Sequence, residues 1–308
     1  MAGISIVGSG NVGASTAFFV AETSAVDVTL CDIREGISTG KTLDMMEAAP
    51  LRKYRSKLRG ADSIDAIKDS EVVIVAVGEV RKPGNDRQSL FAENSKIVSQ
   101  IARDVARLAP KSVVIMATEP VDATTALFVR ESKFERNRVL GIGGALDSAR
   151  LRYVISRELS LSAENISAMV IGTHTHEMIG LPEYSRVSGV PLTQLMSSDE
   201  TQRLIDEVRS SGDEIVRLAG RTSSYYAPGA VIAEVVDAIV GDLKRIFSLS
   251  VVLDGEYGVK DGAASLPMIV GRGGAVKVLE PKLGAEDKKR FVSSAQAVKA
   301  SVAAGGSK

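Results

Sequence analysis

The chain of 308 residues has a single cysteine, Cys31, and only two histidines, His174 and His176. One thiol closes no internal disulfide, which excludes a cystine-stapled scaffold and fits a reducing, cytoplasmic compartment. Net charge is missing too, since 38 Lys and Arg balance 38 Asp and Glu. Without a basic excess or an acidic tail, nucleic acid is not an expected partner. No apolar run approaches the ~20 residues of a membrane span, so no membrane partner is expected. Strand-like sequence begins at Ile4, leaving no room for a signal peptide. Repeats and low-complexity linkers are also lacking, and only residues 303–308 read as a disordered tail.

What is present is alternation. Ile4–Val7, Val26–Asp32, a weak run near Lys57–Gly60, Glu71–Val77, Ser112–Ala117 and Val139–Gly141 read as strands. Helical stretches are expected at 14–20, at 39–49 and from about 88 to 108. Such alternation predicts an α/β fold, a doubly wound parallel-sheet Rossmann domain over residues 1–143. From about Leu146 helices, hairpins and short strands mix, predicting an α+β substrate or catalytic domain over 144–308. Its expected elements are helices at 146–159, 199–219, 226–240 and 285–302, with strands at 166–171, 247–253 and 268–270 and a hairpin at 271–282.

The first turn, Gly8-Ser9-Gly10-Asn11-Val12-Gly13, has the spacing of a dinucleotide-binding loop. Gly8 permits the turn, Gly10 lets a pyrophosphate approach the backbone, and Gly13 lets the next helix sit close to the strand. The N–H groups and positive dipole end of that helix favour phosphate. Asp32 closes the second strand, where an acid accepts hydrogen bonds from the adenosine ribose of NAD. The rival reading is a bare βα turn with Asp32 as a helix cap. Arg34 raises the question of NADP tolerance, because arginine can take a 2′-phosphate; the carboxylate of Asp32 argues for NAD. Ligands of doubly wound sheets bind at the carboxyl ends of the strands, where Gly8, Asp32, Gly78, Thr118 and Gly141 fall.

Three further segments carry candidate chemistry. Arg81 and Arg87 flank the Pro-Gly loop 81–87, which suits a lid bringing cations onto an anion, or else a plain solvated loop. Asp147 and Arg150, three apart on a helix, share a face and could be an ordinary ion pair. In extended backbone His174 and His176 would point the same way, as a general acid/base, a metal pair or two bland polar residues. Metal is disfavoured because no third and fourth ligand follow at suitable spacing.

Taken together, GSGNVG, Asp32, GKTLDM, RKPGNDR, Asn94, LDSAR, the His174 segment, SSYYAPG and LDGEYG resemble the lactate/malate dehydrogenase family nearly end to end. The likeness is greatest to its lactate-dehydrogenase-like malate dehydrogenases. The resemblance implies that His174 exchanges the proton, with Asp147 orienting it. It implies that Arg150 holds the substrate carboxylate and that Arg87 closes over the site and polarises the carbonyl. Arg81 at the specificity position implies a dicarboxylate substrate. Asn94 would reach cofactor and substrate, and Ser224 would line the pocket. Cofactor contacts are implied for Gly8, Ser9, Gly10, Asn11, Val12, Gly13, Asp32, Ile33, Val77, Gly78, Asn94, Ala117 and Glu119. The implied activity is NAD-dependent interconversion of malate and oxaloacetate, with lactate or another 2-hydroxy acid, or an impaired NAD-binding homologue, as alternatives. A homo-oligomer, tetramer or dimer, is also implied.

Two departures from the family pattern stand out. Where the family usually has Thr-Asn-Pro-Val-Asp, this chain has Thr118-Glu119-Pro120-Val121-Asp122, so the resemblance puts Glu119 at a substrate-binding position whose asparagine normally donates to the substrate. An ionised Glu119 donates no hydrogen bond, and at about 4 Å in an effective dielectric near 20 it repels another anion by about 4 kcal/mol. Either Glu119 is protonated, or it turns aside onto an arginine, or activity suffers. Thr175 stands where the family usually has glycine, so a left-handed backbone there would be strained.

Overall fold

The structure, a computed structural model, describes residues 3–24, 26–79, 87–220 and 222–305, with Arg87 described in its main chain only. Arg81, most of the 81–87 loop and the Arg87 side chain therefore lie outside the described residues.

Runs of apolar residues without polar alternation become strands covered on both faces. Strands β1 (Ile4–Val7) and β2 (Val28–Cys31) pair in parallel, followed by β3 (Leu58–Ala61). On the other side of β1 lie β4 (Val72–Val75), β5 (Val113–Met116) and β6 (Val139–Gly141), again parallel. The order β3-β2-β1-β4-β5-β6 is that of a doubly wound sheet, and the strand order reverses between β1 and β4. All four residues of β4 are fully buried.

Helix α1 (Asn11–Thr23) rises from β1. Gly8 has φ of +104°, and a Cβ on Gly13 would sit 1.8 Å from the Gly8 carbonyl oxygen, so neither position admits a side chain. Nothing lies within 4 Å of where a Cβ on Gly10 would be, which leaves the mouth of the turn open. Next come α2 (Ile37–Arg52), which carries Pro50 in its last turn and so outruns the expected 39–49, and α3 (Arg87–Leu108). Helix α4 (Val121–Ser132) is absent from the sequence reading. Its Thr124 and Thr125 hydroxyls satisfy the Val121 carbonyl, so residues of modest helix propensity are accommodated by burial against the sheet.

The second half continues from α5 (Gly143–Leu159). The single strand expected over 166–171 is broken into β7 (Ile166–Ser167) and β8 (Val170–Ile171). They enter different sheets: β8 pairs with β9 (Ile179–Gly180), and β7 with β10 (Arg186–Val187), which in turn pairs with β11 (Val190–Pro191). Helix α6 (Ser198–Ala219) opens with a Ser197/Glu200 capping box, and α7 (Tyr226–Val240) packs on α1.

Strands β12 (Arg245–Asp254), β13 (Lys260–Gly271) and β14 (Gly274–Val278) are antiparallel and extend the first sheet beyond β6. The second half therefore shares the parallel sheet. Strand β13 is much longer than 268–270 because its Gly262-Ala263-Ala264-Ser265 run, loop-like in sequence, lets the last helix approach closely. That helix, α8 (Ala285–Gly305), includes residues 303–305, which correct the expected disordered tail; 306–308 lie outside the described residues.

Candidate active site

At the carboxyl ends of β1 and β2 the Asp32 carboxylate is held on every side. Ser9 donates to it from its main-chain N–H (2.9 Å) and its hydroxyl (2.7 Å). Arg34 adds a two-pronged contact at 2.9 Å to each oxygen. The Arg34 and Ser9 hydrogen bonds outweigh burial and hold the carboxyl far below its usual range. That depressed value makes a stability contribution present above the unfolded pKa and lost as pH falls below it. Lys41, which sequence reasoning had not singled out, donates to the Ser9 carbonyl at 2.6 Å. Ile33 is 91% exposed beside Asp32, and Asn11 reaches across to Thr222.

A cleft opens where β4, β5 and α5 meet α6 and the start of α7. Its walls include Val12, Val77, Gly78, Ala117, Glu119 and Ser224, all expected from sequence. Asp147, Arg150 and His174 stand together in it. His174 Nδ1 lies 2.8 Å from Asp147 Oδ2, and Arg150 lies 3.6 Å from the other Asp147 oxygen. Burial opposes a charge on His174, and Arg150 opposes it further. The Asp147 and Glu119 carboxylates outweigh both, so its pKa is raised.

The two histidines do not point the same way. A turn over 173–178, closed by Thr175 N–H to the Thr173 carbonyl and Met178 N–H to the Thr175 carbonyl, replaces the extended backbone. It sends His176 outward, 62% exposed, onto Asp213 at 3.1 Å. Thr175 does not have positive φ, so the expected strain there is absent; the positive φ in this segment falls on Gly172, at +89°, just before the turn. Glu119 does not turn onto an arginine among the described residues. Its Oε1 lies 3.5 Å from His174 Nε2, and its Oε2 accepts weakly from the Val121 N–H. Asn94 is fully buried beside the cleft, accepting from Glu79 N–H and donating to the Glu79 and Glu119 carbonyls. Its amide therefore braces the two loops that form the wall.

Asp122 is the residue whose part the sequence left unread. It is buried on α4, accepts the His174 main-chain N–H at 2.7 Å, and takes the Ser250 hydroxyl at 2.6 Å. Burial pushes its pKa from 3.8 up to about 6 against those hydrogen bonds. With a folded value above the unfolded one, its contribution to stability is full below the unfolded pKa and is lost as pH rises through about 6. The loss is about 3 kcal/mol. Asp122→Asn mimics the protonated form, with its amide nitrogen facing Ser250 and its oxygen facing His174. It is expected to match the parent in urea denaturation near pH 4 and to exceed it by about that amount near pH 7.5.

The NAD-binding-domain model of the lactate/malate dehydrogenase family matches residues 2–141, and the family's α/β C-terminal-domain model matches residues 144–308. The chain belongs to the lactate/malate dehydrogenase family. Malate dehydrogenase from Shouchella clausii is 41% identical over 303 residues, covering 98% of this chain and 96% of the relative. The crystal structure of Cryptosporidium parvum malate dehydrogenase matches with a TM-score of 0.96 at 32% identity over the whole of both chains. The Cryptosporidium parvum lactate dehydrogenase, complexed with lactic acid and NAD, matches at 0.94 and 29% identity, covering 100% and 98%.

As a lactate/malate dehydrogenase, the chain is an NAD-dependent oxidoreductase with a Rossmann-like first half and an α/β second half. In this family member Arg209 and Asp213 of α6 also line the cleft. Their only sequence signal was position on a strongly amphipathic helix, which marks a face and not a function.

Proposed function

We propose that the cleft interconverts malate and oxaloacetate with NAD(H). The observation that carries the reading is the Asp147–His174 pair beside Arg150, facing the same cleft as Val12 of the glycine turn. The dinucleotide suits the residues present: a buried carboxylate at the tip of β2, an open Gly10 and the free start of α1. Residues 1–143 would take it, through Gly8–Gly13, Asp32, Ile33, Val77, Gly78 and Ala117, and 144–308 would supply the substrate side. Arg34 is 61% exposed and can swing away from Asp32 to admit the ribose.

When bound, NADH supplies the hydride and NAD accepts it in reverse. His174 holds the proton at Nε2, because Asp147 engages Nδ1 and fixes the ring. Arg150 offers a planar fork to the substrate C1 carboxylate. Arg87 polarises the carbonyl and Arg81 pairs with the second carboxylate. Asn94 and Ser224 shape the wall, Asn94 through the Glu79 and Glu119 backbone. Apolar residues left exposed on α2 (Leu43, Leu51) and elsewhere (Tyr153, Tyr226) support a symmetric homo-oligomer, a tetramer or dimer. Among the described residues no helix is long and apolar enough to cross a membrane. A reducing, cytoplasmic setting is the reading that suits a chain whose lone cysteine closes no internal disulfide; the Cys31 thiol is buried and pushed up to about 11 by burial and Asp32.

The test is a steady-state panel of oxaloacetate and pyruvate with NADH and NADPH. A monoacid leaves one arginine uncompensated, so oxaloacetate is expected to lead pyruvate by about 100-fold or more in kcat/KM. NADH is expected to lead NADPH because Asp32 opposes a 2′-phosphate, with Arg34 permitting residual NADPH use. Equal rates on the two oxo acids would remove the dicarboxylate assignment.

A further inference from the structure

The His174 ring stands between two carboxylates, and the reaction above uses only one of them. Asp147 engages Nδ1 at 2.8 Å, and Glu119 stands 3.5 Å from Nε2. With Nδ1 committed, Nε2 is the ring atom that must meet the substrate oxygen. Glu119 therefore lies on the approach to the one nitrogen the chemistry needs.

We propose that Glu119 is a movable cap on His174 Nε2, which the incoming 2-oxo acid must displace, and that it sets substrate affinity and the pH range of each direction. The proposal rests on the malate/oxaloacetate reading of the cleft.

The local structure is that of a fixed post with a free arm. The Glu119 main chain is anchored, since its carbonyl accepts from Asn94 at 2.7 Å and Asn94 is itself fully buried. Among the described residues the side chain has, besides His174, the 3.3 Å contact from the Val121 N–H. It is 38% exposed, against 12% for His174, so it can withdraw into water without stranding a buried charge. Swinging out clears Nε2; remaining in place opposes a dianion arriving beside it.

The groups facing His174 come from every wall of the cleft. Asp147 and Arg150 belong to α5, and Asp122 on α4 holds the main-chain N–H. Arg209 and Asp213 of α6 line the opposite side, and Glu119 comes from the β5–α4 connection. Burial and Arg150 work against the imidazolium, whereas Asp147 and Glu119 favour it. Removing the Glu119 charge leaves Asp147 alone to hold the proton. Reduction, which needs protonated His174, then fails at lower pH, and oxidation, which needs the neutral ring, begins at lower pH.

Glu119→Gln tests the cap, because its amide oxygen can keep the Val121 contact; Glu119→Asn is the second variant. With two histidines in the chain, proton NMR of the imidazoles follows both, and His176→Asn assigns them. In free protein the His174 titration is expected to move to lower pH in both variants. The KM for oxaloacetate is expected to fall by about tenfold, and the alkaline limb of kcat/KM to move down in pH. An unmoved His174 titration or an unchanged KM overturns the cap. If the titration moves but no form of the protein turns over oxaloacetate, the Glu119–His174 contact stands, and the reaction assigned above falls together with the displacement by substrate. Turnover in every form with an unmoved titration keeps the reaction and removes the cap.

Discussion

His174→Asn is expected to lower kcat/KM for oxaloacetate reduction by about 10²–10⁴-fold, the usual contribution of a positioned general acid. Asparagine can still donate to Asp147, and the main-chain bond from residue 174 to Asp122 is untouched, so the fold and the glycine turn are expected to survive. NADH binding, followed by fluorescence titration, should stay near the parent value. The pH profile is the sharper reading. In the parent, the raised His174 pKa keeps reduction running above the ordinary histidine range of about 6.5, and the rate falls as pH rises through the folded value. The variant should lose that alkaline limb altogether. A variant retaining both rate and limb would show that another group carries the proton.

Arg150→Gln is expected to raise KM for oxaloacetate by about 10²–10³-fold, the scale for truncating one partner of a buried, hydrogen-bonded charge pair. Its side chain is only 12% exposed and stands 3.6 Å from Asp147, so water replaces the lost guanidinium poorly. Two effects should appear together. The substrate loses its planar carboxylate fork, and His174 loses a neighbouring cation that had lowered its pKa, so the alkaline limb should move up. Arg150→Lys keeps a charge but not the fork, and should recover the limb more fully than KM. A rise in KM without movement of the limb would mean that Arg150 acts on substrate alone.

Much of this site was legible because its signals are local. The glycine turn, the buried runs at 72–75 and 113–116, and α7 each follow from a few adjacent residues. Motif order then carried His174 into one cleft with Asp147 and Arg150 of α5, although it lies on a separate segment of the chain. Features decided by tertiary packing were not legible. Helix α4 opens on Val121-Asp122-Ala123-Thr124-Thr125, whose β-branched residues and aspartate favour a helix little until the sheet covers them. Strand β13 hides in a run of small residues whose purpose is close approach to α8. The opposed directions of His174 and His176 depend on a turn that alternation along a strand could not reveal. The position of Glu119 could not be chosen from composition, because a half-exposed carboxylate can face water, an arginine or a histidine at similar cost.

The cofactor half is not finished by its own residues. Strand β12 lies against β6, with Ser250 opposite Gly141, and α7 covers α1. A nascent chain with only residues 1–143 outside the ribosome would carry an open sheet edge and an uncovered helix flank. The half that looks most like a portable module in sequence is thus completed at its β6 edge and its α1 flank by residues 226–254.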